Sequence, residues 1–329
     1  MNKYKNKSIF ITGGTGSFGK NFILHLLKKK FPFLRIIIFS RDEFKQDQLQ
    51  KELGLKKNHN LRFFLGDVRD KDRLLYAFKQ LDYVVHAAAL KQVPAAEYNP
   101  IEFIKTNVLG AQNIIEASLH NNVKKVLALS TDKAVSPINL YGATKLCSDK
   151  LFITANNIVG KKKTTFSVLR YGNVLGSRGS VLPEFLKSKS KKHIFDITNL
   201  SMTRFNILMK DAINLVILCL NNSLGGEIFV PKLKSFKVTD LAKAIDSNCK
   251  FNIIGARPGE KIHEELITEA ESYNCFDLKK YFIIIQENFQ KRYGQIIFNK
   301  KIKHPFSYNS EKNIFLTIKE LKYILSKFQ

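Results

Sequence analysis

The sequence has no apolar run of about eighteen residues or more, and this absence excludes a transmembrane helix. Its basic start, residues 1–7, leads straight into a short strand and not into the apolar core of a signal peptide. Its four cysteines are scattered, without a CxxC pair or a spacing typical of metal ligands. We therefore expect a reduced, cytoplasmic protein with no membrane insertion and no bound metal.

Acidic residues are scarce: 28 Asp and Glu stand against 54 Lys and Arg, which gives a net charge of +26. Such a charge is typical of proteins that bind nucleic acid or a membrane surface. However, the lysine runs at 28–30, 161–163 and 187–192 are separated, and no aromatic residues interleave with them as on a platform for stacked bases. We interpret the charge as a solvated, lysine-rich surface and expect no nucleic-acid partner.

The 329 residues, 44% of them hydrophobic, are enough for two lobes. Short apolar strands alternate with helical patterns, and this alternation predicts an α/β fold with a doubly wound parallel sheet of the Rossmann type. The six strands are expected at 8–12, 35–40, 61–65, 83–86, 126–129 and 165–171. The pattern then becomes irregular. We predict a dinucleotide-binding domain over 1–172, with a returning segment near 202–222, and a smaller lobe, mainly 173–329, that binds the substrate.

A glycine-rich turn lies between the first strand and a predicted helix from Phe18 to about Lys29. It satisfies G-x-x-G-x-x-G from Gly13 and G-x-G-x-x-G from Gly14. Glycines let the backbone turn tightly and approach a pyrophosphate at the N-terminus of the helix. The candidate cofactor residues of this turn are Gly13, Thr15, Gly16, Ser17, Phe18 and Gly19.

The end of the second strand bears on the choice of cofactor. A fold that binds NAD usually has an acidic residue there for the ribose 2′-hydroxyl. Here Ser40 and Arg41, with Lys45 nearby, could hold a 2′-phosphate, which favours NADP, whereas Asp42 argues for NAD. Further candidate cofactor residues follow the third and fourth strands: Asp67, which could accept from the adenine amino group, Val68, Ala87, Ala88 and Lys91.

The stretch from residue 130 to 145 concentrates the chemistry. Tyr141 and Lys145 are four apart and so share one face of a helix, where the ammonium favours loss of the phenol proton. Thr131 ends a buried strand and could bind the same substrate oxygen. Asp132 and Lys133, an acid and a potential base, follow directly. The stretch therefore offers parts for oxidation of an alcohol and for a second proton transfer.

Together these motifs resemble the extended short-chain dehydrogenase/reductase superfamily and, more narrowly, the inverting UDP-N-acetylglucosamine 4,6-dehydratases of bacterial pseudaminic acid synthesis. Lys133 favours the narrower family, because the dehydratases that retain configuration at sugar carbon 5 typically have Glu there. The segments that carry the resemblance are Ile9–Lys20, Gly66–Lys71, His86–Pro94, Ala96–Pro100, Asn107, Ala128–Ala134, Asn139–Lys145, Arg170–Ser180, Met202–Phe205 and Gly259–Glu264.

The resemblance implies dehydration of UDP-N-acetylglucosamine across carbons 5 and 6 through a 4-keto intermediate. It also implies inversion at carbon 5, NADP that is regenerated in each turnover, and a homo-oligomer. The implied catalytic residues are Thr131, Asp132, Lys133, Tyr141 and Lys145. The candidates for substrate binding are Lys91, Asp132, Tyr141, Asn173, Arg178, Val181, Arg204, Arg257 and Glu260.

In the implied mechanism Lys145 lowers the pKa of Tyr141, and Lys133 is a base whose pKa is lowered by burial and by neighbouring cations. Asp132 protonates the leaving 6-hydroxyl, and Asn107 could hydrogen-bond the active-site backbone. The alternatives are a retaining 4,6-dehydratase, a dehydratase/epimerase for N-acetyl-fucosamine-type sugars, and a non-catalytic NADP-binding protein. Product stereochemistry separates the first two from the inverting enzyme, and the intact Thr131, Tyr141 and Lys145 argue against the third.

Overall fold

The computed structural model describes residues 2–54, 60–177, 179–189 and 193–327. The strands of these ranges are β1 (Ser8–Thr12), β2 (Arg35–Ser40), β3 (Leu61–Leu65), β4 (Tyr83–His86), β5 (Lys125–Thr131), β6 (Thr165–Tyr171), β7 (Ile194–Ile197), β8 (Thr203–Phe205), β9 (Glu227–Pro231), β10 (Ser235–Lys237), β11 (Lys250–Ile253), β12 (Glu265–Ile267), β13 (Cys275–Asp277), β14 (Tyr281–Ile285) and β15 (Tyr308–Asn309). The six strands predicted up to Tyr171 are thus confirmed.

The helices follow the predicted alternation with the strands. They are α1 (Ser17–Lys28), α2 (Glu43–Leu53), α3 (Lys71–Ala77), α4 (Val93–Tyr98), α5 (Pro100–Phe103), α6 (Gly110–His120), α7 (Leu140–Thr154), α8 (Val181–Lys189), α9 (Met209–Asn222), α10 (Val238–Ile245), α11 (Glu269–Ser272), α12 (Glu287–Gln290) and α13 (Ile318–Leu325). A π-helical segment, Ile104–Leu109, joins α5 to α6. Within the described ranges, no helix is long and apolar enough to cross a membrane.

A nine-stranded sheet forms the centre of the described chain, in the order β13-β14-β9-β6-β5-β4-β1-β2-β3. Strands β1 to β6 are parallel, β9 continues parallel to β6, and β14 and β13 are antiparallel. Parallel strands of this kind are buried on both faces, and the fully buried patterns of β1 and β4 agree. The predicted doubly wound parallel sheet is confirmed.

The sheet and its helices enclose the larger hydrophobic core. A smaller core lies among α8, β7, α10 and α13, with Phe195 and Leu241 fully buried. Strands β9, β13 and β14 join the central sheet although they come from the segment 173–329. The division of the chain into two functional lobes stays a prediction.

Candidate active site

Strands β1 to β5 have their carboxyl ends at the same edge of the sheet, because they are parallel and paired in register. Thr12 of β1 lies beside His86 of β4, and Thr131 of β5 lies beside Tyr171 of β6. Ligands of open α/β sheets bind in the crevice outside these carboxyl ends. The predicted cofactor and catalytic residues are therefore brought to the same edge.

The glycine turn is packed too closely to hold side chains, and its bare backbone can therefore approach a dinucleotide. Gly13 has φ +65°, and a Cβ there would lie 3.0 Å from the backbone nitrogen of Ala88. A Cβ on Gly19 would lie 2.5 Å from the carbonyl oxygen of Gly13, so α1 packs directly on the turn. Gly16 and Ser17 remain exposed at the N-terminus of α1. This cradle suits a pyrophosphate on backbone N–H groups.

Thr12 fixes the loop that follows β4. Its Oγ1 accepts the N–H groups of Ala87 and Ala88 at 3.0 and 3.1 Å. The same oxygen lies 2.9 Å from Nδ1 of His86, to which it must donate its own proton. Burial lowers the pKa of His86 to about 3, and the ammonium of Lys145 adds to this effect, so His86 is a neutral acceptor.

The residues after β2 separate into a helix cap and possible phosphate ligands. Asp42 is the N-cap of α2: its carboxylate accepts from the backbone N–H of Lys45 at 2.9 Å and from the Lys45 ammonium. These hydrogen bonds lower the pKa of Asp42. Ser40 Oγ accepts from Gln46 at 3.0 Å, and Arg41 lies 3.5 Å from Asp67. Asp42 thus has a structural role that does not depend on a ribose hydroxyl.

The carboxylate of Asp67 is bound by Arg69, a partner that the sequence analysis missed. The Arg69 guanidinium donates at 2.7 and 2.9 Å, and its backbone N–H donates at 3.0 Å. Burial opposes ionisation of Asp67, but the bonds from Arg69 outweigh it and lower the Asp67 pKa. Val68 is buried beside Gly110. The remaining residues of the predicted cofactor set are placed as follows: Thr15 is half-buried, Phe18 stacks on Phe22, and Lys91 is exposed after β4.

Asn107 links the loop after β4 to helix α7 by hydrogen bonds. It lies in the π-helical segment, where its side chain accepts the N–H of Leu90 and donates to the Leu90 carbonyl, both at 2.9 Å. Its amide also donates to Thr144 of α7 at 3.0 Å. The predicted hydrogen bond to the active-site backbone is confirmed. Such π segments inside a helix are frequent at functional sites.

Tyr141 and Lys145 lie in the first turns of α7, as the spacing predicts. Asn139 caps this helix by accepting the N–H of Gly142 at 2.7 Å. Both predicted catalytic side chains are buried, and the Lys145 ammonium donates to the carbonyl of Leu129 at 2.9 Å.

The expected lowering of the Tyr141 pKa by Lys145 is wrong for this structure. Burial raises the pKa of Tyr141 to about 12, and the cation that opposes this rise is Lys133, together with the hydrogen bond to Thr131. Burial also lowers the pKa of Lys145, against the attraction of Asp149. The sequence predicts that Lys145 favours ionisation of Tyr141, whereas in the structure Lys133 is the cation that does so.

Lys133 is held by three acceptors. Its ammonium lies 3.0 Å from Oε1 of Glu264, 3.1 Å from Oδ1 of Asp132 and 3.2 Å from Oδ1 of Asn173. Burial favours the neutral amine, but the two carboxylates outweigh it, so the pKa of Lys133 is raised. The expected lowering of this pKa is therefore wrong for this structure, because the nearest charged groups are anions.

Asp132 has the environment of an acid. Its side chain is 0% exposed, and its Oδ2 has no hydrogen-bond partner among the described residues. Burial raises its pKa, as does the carboxylate of Glu264, against the opposing charge of Lys133. The raised pKa favours the protonated carboxyl, which is the form that can donate a proton to a leaving hydroxyl.

Glu264 is the functional candidate that the sequence analysis missed, although the segment Gly259–Glu264 ends on it. Its side chain is 2% exposed, and Arg204 lies 3.8 Å away with its Nε. Arg204 also donates to the Ile262 carbonyl at 2.9 Å and lies 3.5 Å from Glu260. The predicted diphosphate ligand Arg204 therefore contacts two carboxylates in this structure.

The other substrate candidates are spread around this cluster. Asn173 belongs to it, and Glu260 joins it through Arg204. Val181 begins α8, and Arg257 lies on an exposed loop. Arg178 falls outside the described residues. No group of three or more His, Cys, Asp or Glu that could hold a metal is found in the part of the chain that the structure describes.

A buried ionic network supports α7 from behind. Ser130 donates to Asp149 at 2.7 Å, and Arg170 lies 3.6 Å from the same carboxylate. Arg170 is 1% exposed and donates to Glu271 of α11 at 2.9 Å. This network joins β5, α7, β6 and the C-terminal segment behind the catalytic side chains.

The fold and the Thr131, Tyr141 and Lys145 arrangement are those of an extended short-chain dehydrogenase/reductase. DesIV, the dTDP-glucose 4,6-dehydratase of Streptomyces venezuelae solved with NAD and TYD bound, superimposes with a TM-score of 0.68 at 20% identity, over 78% of this chain and 86% of its own. Pen from Bacillus thuringiensis superimposes with a TM-score of 0.89 at 37% identity, over 98% of this chain and 99% of its own.

Residues 9–286 match the family of polysaccharide biosynthesis proteins, and this chain belongs to that family. The inverting UDP-N-acetylglucosamine 4,6-dehydratase of Campylobacter jejuni is 48% identical, over 98% of both chains. A UDP-glucose 4-epimerase of Rickettsia bellii is 40% identical, over 98% of this chain and 96% of its own.

Proposed function

We propose that this protein is an inverting UDP-N-acetylglucosamine 4,6-dehydratase, a lyase that uses NADP without net redox change. The product is UDP-2-acetamido-2,6-dideoxy-β-L-arabino-hexos-4-ulose. The observation that carries the proposal is the cluster of Asp132, Lys133 and Glu264 beside Thr131 and Tyr141. It supplies proton-transfer groups that oxidation of an alcohol alone would not need.

The oxidation half of the site prepares the sugar. Thr131 and Tyr141 hold the 4-hydroxyl, and Tyr141 accepts its proton as the phenolate, the form that the Lys133 cation favours against burial. NADP, when bound, supplies the hydride acceptor for carbon 4 and the hydride donor for carbon 6. The tight packing of Gly13 and Gly19 supports such a dinucleotide, because it lets the backbone at the N-terminus of α1 approach a pyrophosphate.

The dehydration half acts on the ketone. A ketone at carbon 4 acidifies the hydrogen on carbon 5, and Lys133 removes it. Asp132, the carboxyl group with the raised pKa, protonates the departing 6-hydroxyl, and water leaves. Reprotonation of carbon 5 from the opposite face inverts that centre. Asn173 and Glu264 accept hydrogen bonds from Lys133 during these steps.

A 4-epimerase is the second candidate, because the Rickettsia bellii relative bears that name at 40% identity. Epimerisation at carbon 4 needs only proton transfer to and from the 4-oxygen, which Thr131 and Tyr141 provide. It would leave the cluster of Asp132, Lys133 and Glu264 without a chemical role. We therefore favour dehydration, and the same cluster weighs against a non-catalytic binding protein.

The proposal is tested by proton NMR of UDP-N-acetylglucosamine with the purified protein and NADP⁺ in heavy water. We expect a 4-keto-6-deoxy product with deuterium at carbon 5 and the L-arabino configuration. Retained configuration at carbon 5 would indicate a retaining dehydratase. UDP-N-acetylgalactosamine would indicate a 4-epimerase, and a further epimerised keto sugar would indicate an enzyme for N-acetyl-fucosamine-type sugars.

The preference for NADP over NAD rests on Ser40, Arg41 and Lys45. Asp42 supports NAD less than its sequence position suggests, because its carboxylate caps α2 and pairs with Lys45. Calorimetric titration with both dinucleotides tests this preference, and equal affinity would contradict it. Arg41→Ala should weaken the binding of NADP⁺ selectively.

The resemblance in sequence also supports a cytoplasmic homo-oligomer whose product enters pseudaminic acid synthesis for surface or flagellin glycans. Light scattering of the purified protein measures the oligomeric state, and a monomer at micromolar concentration would contradict that part. Loss of pseudaminic acid from cell-surface glycans after deletion of the gene would support the pathway.

A further inference from the structure

The cluster around Lys133 contains more acceptors than a base requires. An ammonium has three N–H donors, and Lys133 has three acceptors, on Glu264, Asp132 and Asn173. Its nitrogen therefore has no lone pair for a substrate until one proton leaves. Lys133 is also more exposed than the two carboxylates. Its side chain is 22% exposed, against 0% for Asp132 and 2% for Glu264.

The two carboxylates differ in their other neighbours. Glu264 faces three cations: Lys133 at 3.0 Å, Arg204 at 3.8 Å, and Lys261, whose charge also lowers the Glu264 pKa. Its backbone is fixed by Ser310, whose Oγ accepts the N–H of Glu264 at 2.9 Å. Asp132 is completely buried and contacts Lys133 and Thr131. Burial opposes ionisation of both carboxyl groups. For Glu264 the attraction of the cations is larger than the cost of burial, so its pKa is lowered. For Asp132 burial has the larger effect, so its pKa is raised.

We propose that Glu264 is a positioning residue for Lys133, the member of the cluster that stays ionised while the proton of Lys133 moves to Asp132. This inference rests on the proposed dehydration. One N–H bond of Lys133 breaks and one O–H bond on Asp132 forms, so no further reactant is needed. The transfer yields the base and the acid of the reaction together.

Glu264 then orients the neutral amine. Two N–H groups remain on Lys133, and Glu264 and Asn173 lie at 3.0 and 3.2 Å to accept them. The lone pair is left for the hydrogen on carbon 5. Without the Glu264 charge, the ammonium loses one anionic partner, and its pKa must fall by about 1–3 units.

The first test measures the pKa of Lys133 without substrate. The protein is labelled competitively with trace acetic anhydride across a pH series, and mass spectrometry follows the peptide with Lys133. Glu264→Gln keeps the shape and an acceptor oxygen but removes the charge, so it should lower the Lys133 pKa by about 1–3 units. Glu264→Asp, which restores the charge, should return the pKa towards that of the wild type.

Glu265→Gln is the matched control. Glu265 is the next residue, but its carboxylate accepts from Ser136 and Ser307 and does not contact Lys133. It should leave the Lys133 pKa unchanged. An unchanged pKa in Glu264→Gln, or an equal shift in both variants, would overturn the inference.

The second test measures turnover. Glu264→Gln should lower kcat for the dehydrated product by about 10- to 100-fold, as expected for a misoriented base, and change KM little. The Lys133 limb of its pH profile should move to lower pH. If the wild type fails to turn over UDP-N-acetylglucosamine, the proposed function is wrong, whereas the labelling result still decides the role of Glu264. A normal kcat and an unmoved profile in Glu264→Gln would overturn that role.

Discussion

The candidate site contains two lysines, the buried Lys145 and the partly exposed Lys133, in opposite electrostatic surroundings. Lys145, in the proposed oxidation half, donates to the backbone carbonyl of Leu129, and burial lowers its pKa. Lys133, in the dehydration half, lies against the carboxylates of Asp132 and Glu264, and its pKa is raised in spite of burial. The same residue type therefore serves two purposes, and the neighbouring anions decide which.

The different surroundings of the two lysines suit them to different roles in the proposed reaction. A lysine bonded to a neutral carbonyl is a fixed donor beside the strand ends, where it also adds to the lowering of the His86 pKa. A lysine between carboxylates can exchange protons with them. We infer that the oxidation half depends on the fixed position of Lys145, whereas the dehydration half depends on proton exchange between Lys133 and its carboxylates. Four experiments test this comparison.

The largest effect is expected for Tyr141→Phe, which removes the phenol that both halves need. Turnover should fall by about 10²–10⁴-fold, the usual contribution of a positioned acid or base. The bound dinucleotide should show no near-ultraviolet absorbance of the reduced nicotinamide after substrate is added. Binding of NADP⁺ should persist, and a variant that still reduces the dinucleotide would contradict the role of Tyr141.

Lys133→Met should separate the halves. Dehydration should fall by about 10²–10⁴-fold, whereas oxidation at carbon 4 should persist at a reduced rate, because Thr131, Tyr141 and Lys145 are intact but Tyr141 loses the cation that lowers its pKa. Stopped-flow absorbance would report the reduced nicotinamide, and NMR would report the absence of the 6-deoxy product. Full turnover in this variant would remove Lys133 from the mechanism, and loss of the absorbance would show that the halves are not separable.

Arg170→Met tests the support behind the oxidation half. Arg170 is 1% exposed and bridges Asp149 and Glu271, so its removal leaves buried carboxylates without their cation. Such a loss typically costs about 3–5 kcal/mol in the free energy of unfolding. Urea denaturation measures it. Lys187→Met, which removes an exposed pair with Glu184, is the control and should cost less than about 1 kcal/mol.

The smallest effect concerns the pH dependence of stability. The His86 pKa is lowered to about 3, from 6.5, so the unfolded chain binds a proton below pH 6.5 that the folded protein refuses. Stability is complete above pH 6.5 and should fall by about 1.4 kcal/mol per pH unit as the pH drops towards 3. His86→Gln should remove this part of the slope in urea denaturation at pH 6 and 5, and an unchanged slope would contradict it.

Much of the fold could be predicted from the sequence, because short apolar strands and helical patterns are local features. The glycine turn and the spacing of Tyr141 and Lys145 likewise placed the site at one sheet edge. What could not be predicted is contact between distant segments. Glu264 reaches Lys133 across 131 positions, and no local pattern pairs them. Since those contacts set the local charge, the pKa directions of Tyr141 and Lys133 were predicted wrongly.

Gly142 has a consequence for how this site could change. A Cβ there would lie 2.2 Å from the carbonyl oxygen of Lys133 and 3.0 Å from Pro137. Helix α7 therefore packs directly on the turn that carries Lys133, and this close approach requires that residue 142 has no side chain. Any mutation at position 142 should push apart Tyr141 and Lys133, the proposed alcohol-binding residue and the proposed base. A mutational library that varies every residue around the cleft should therefore recover only glycine at this position, although glycine contributes no chemical group to either step.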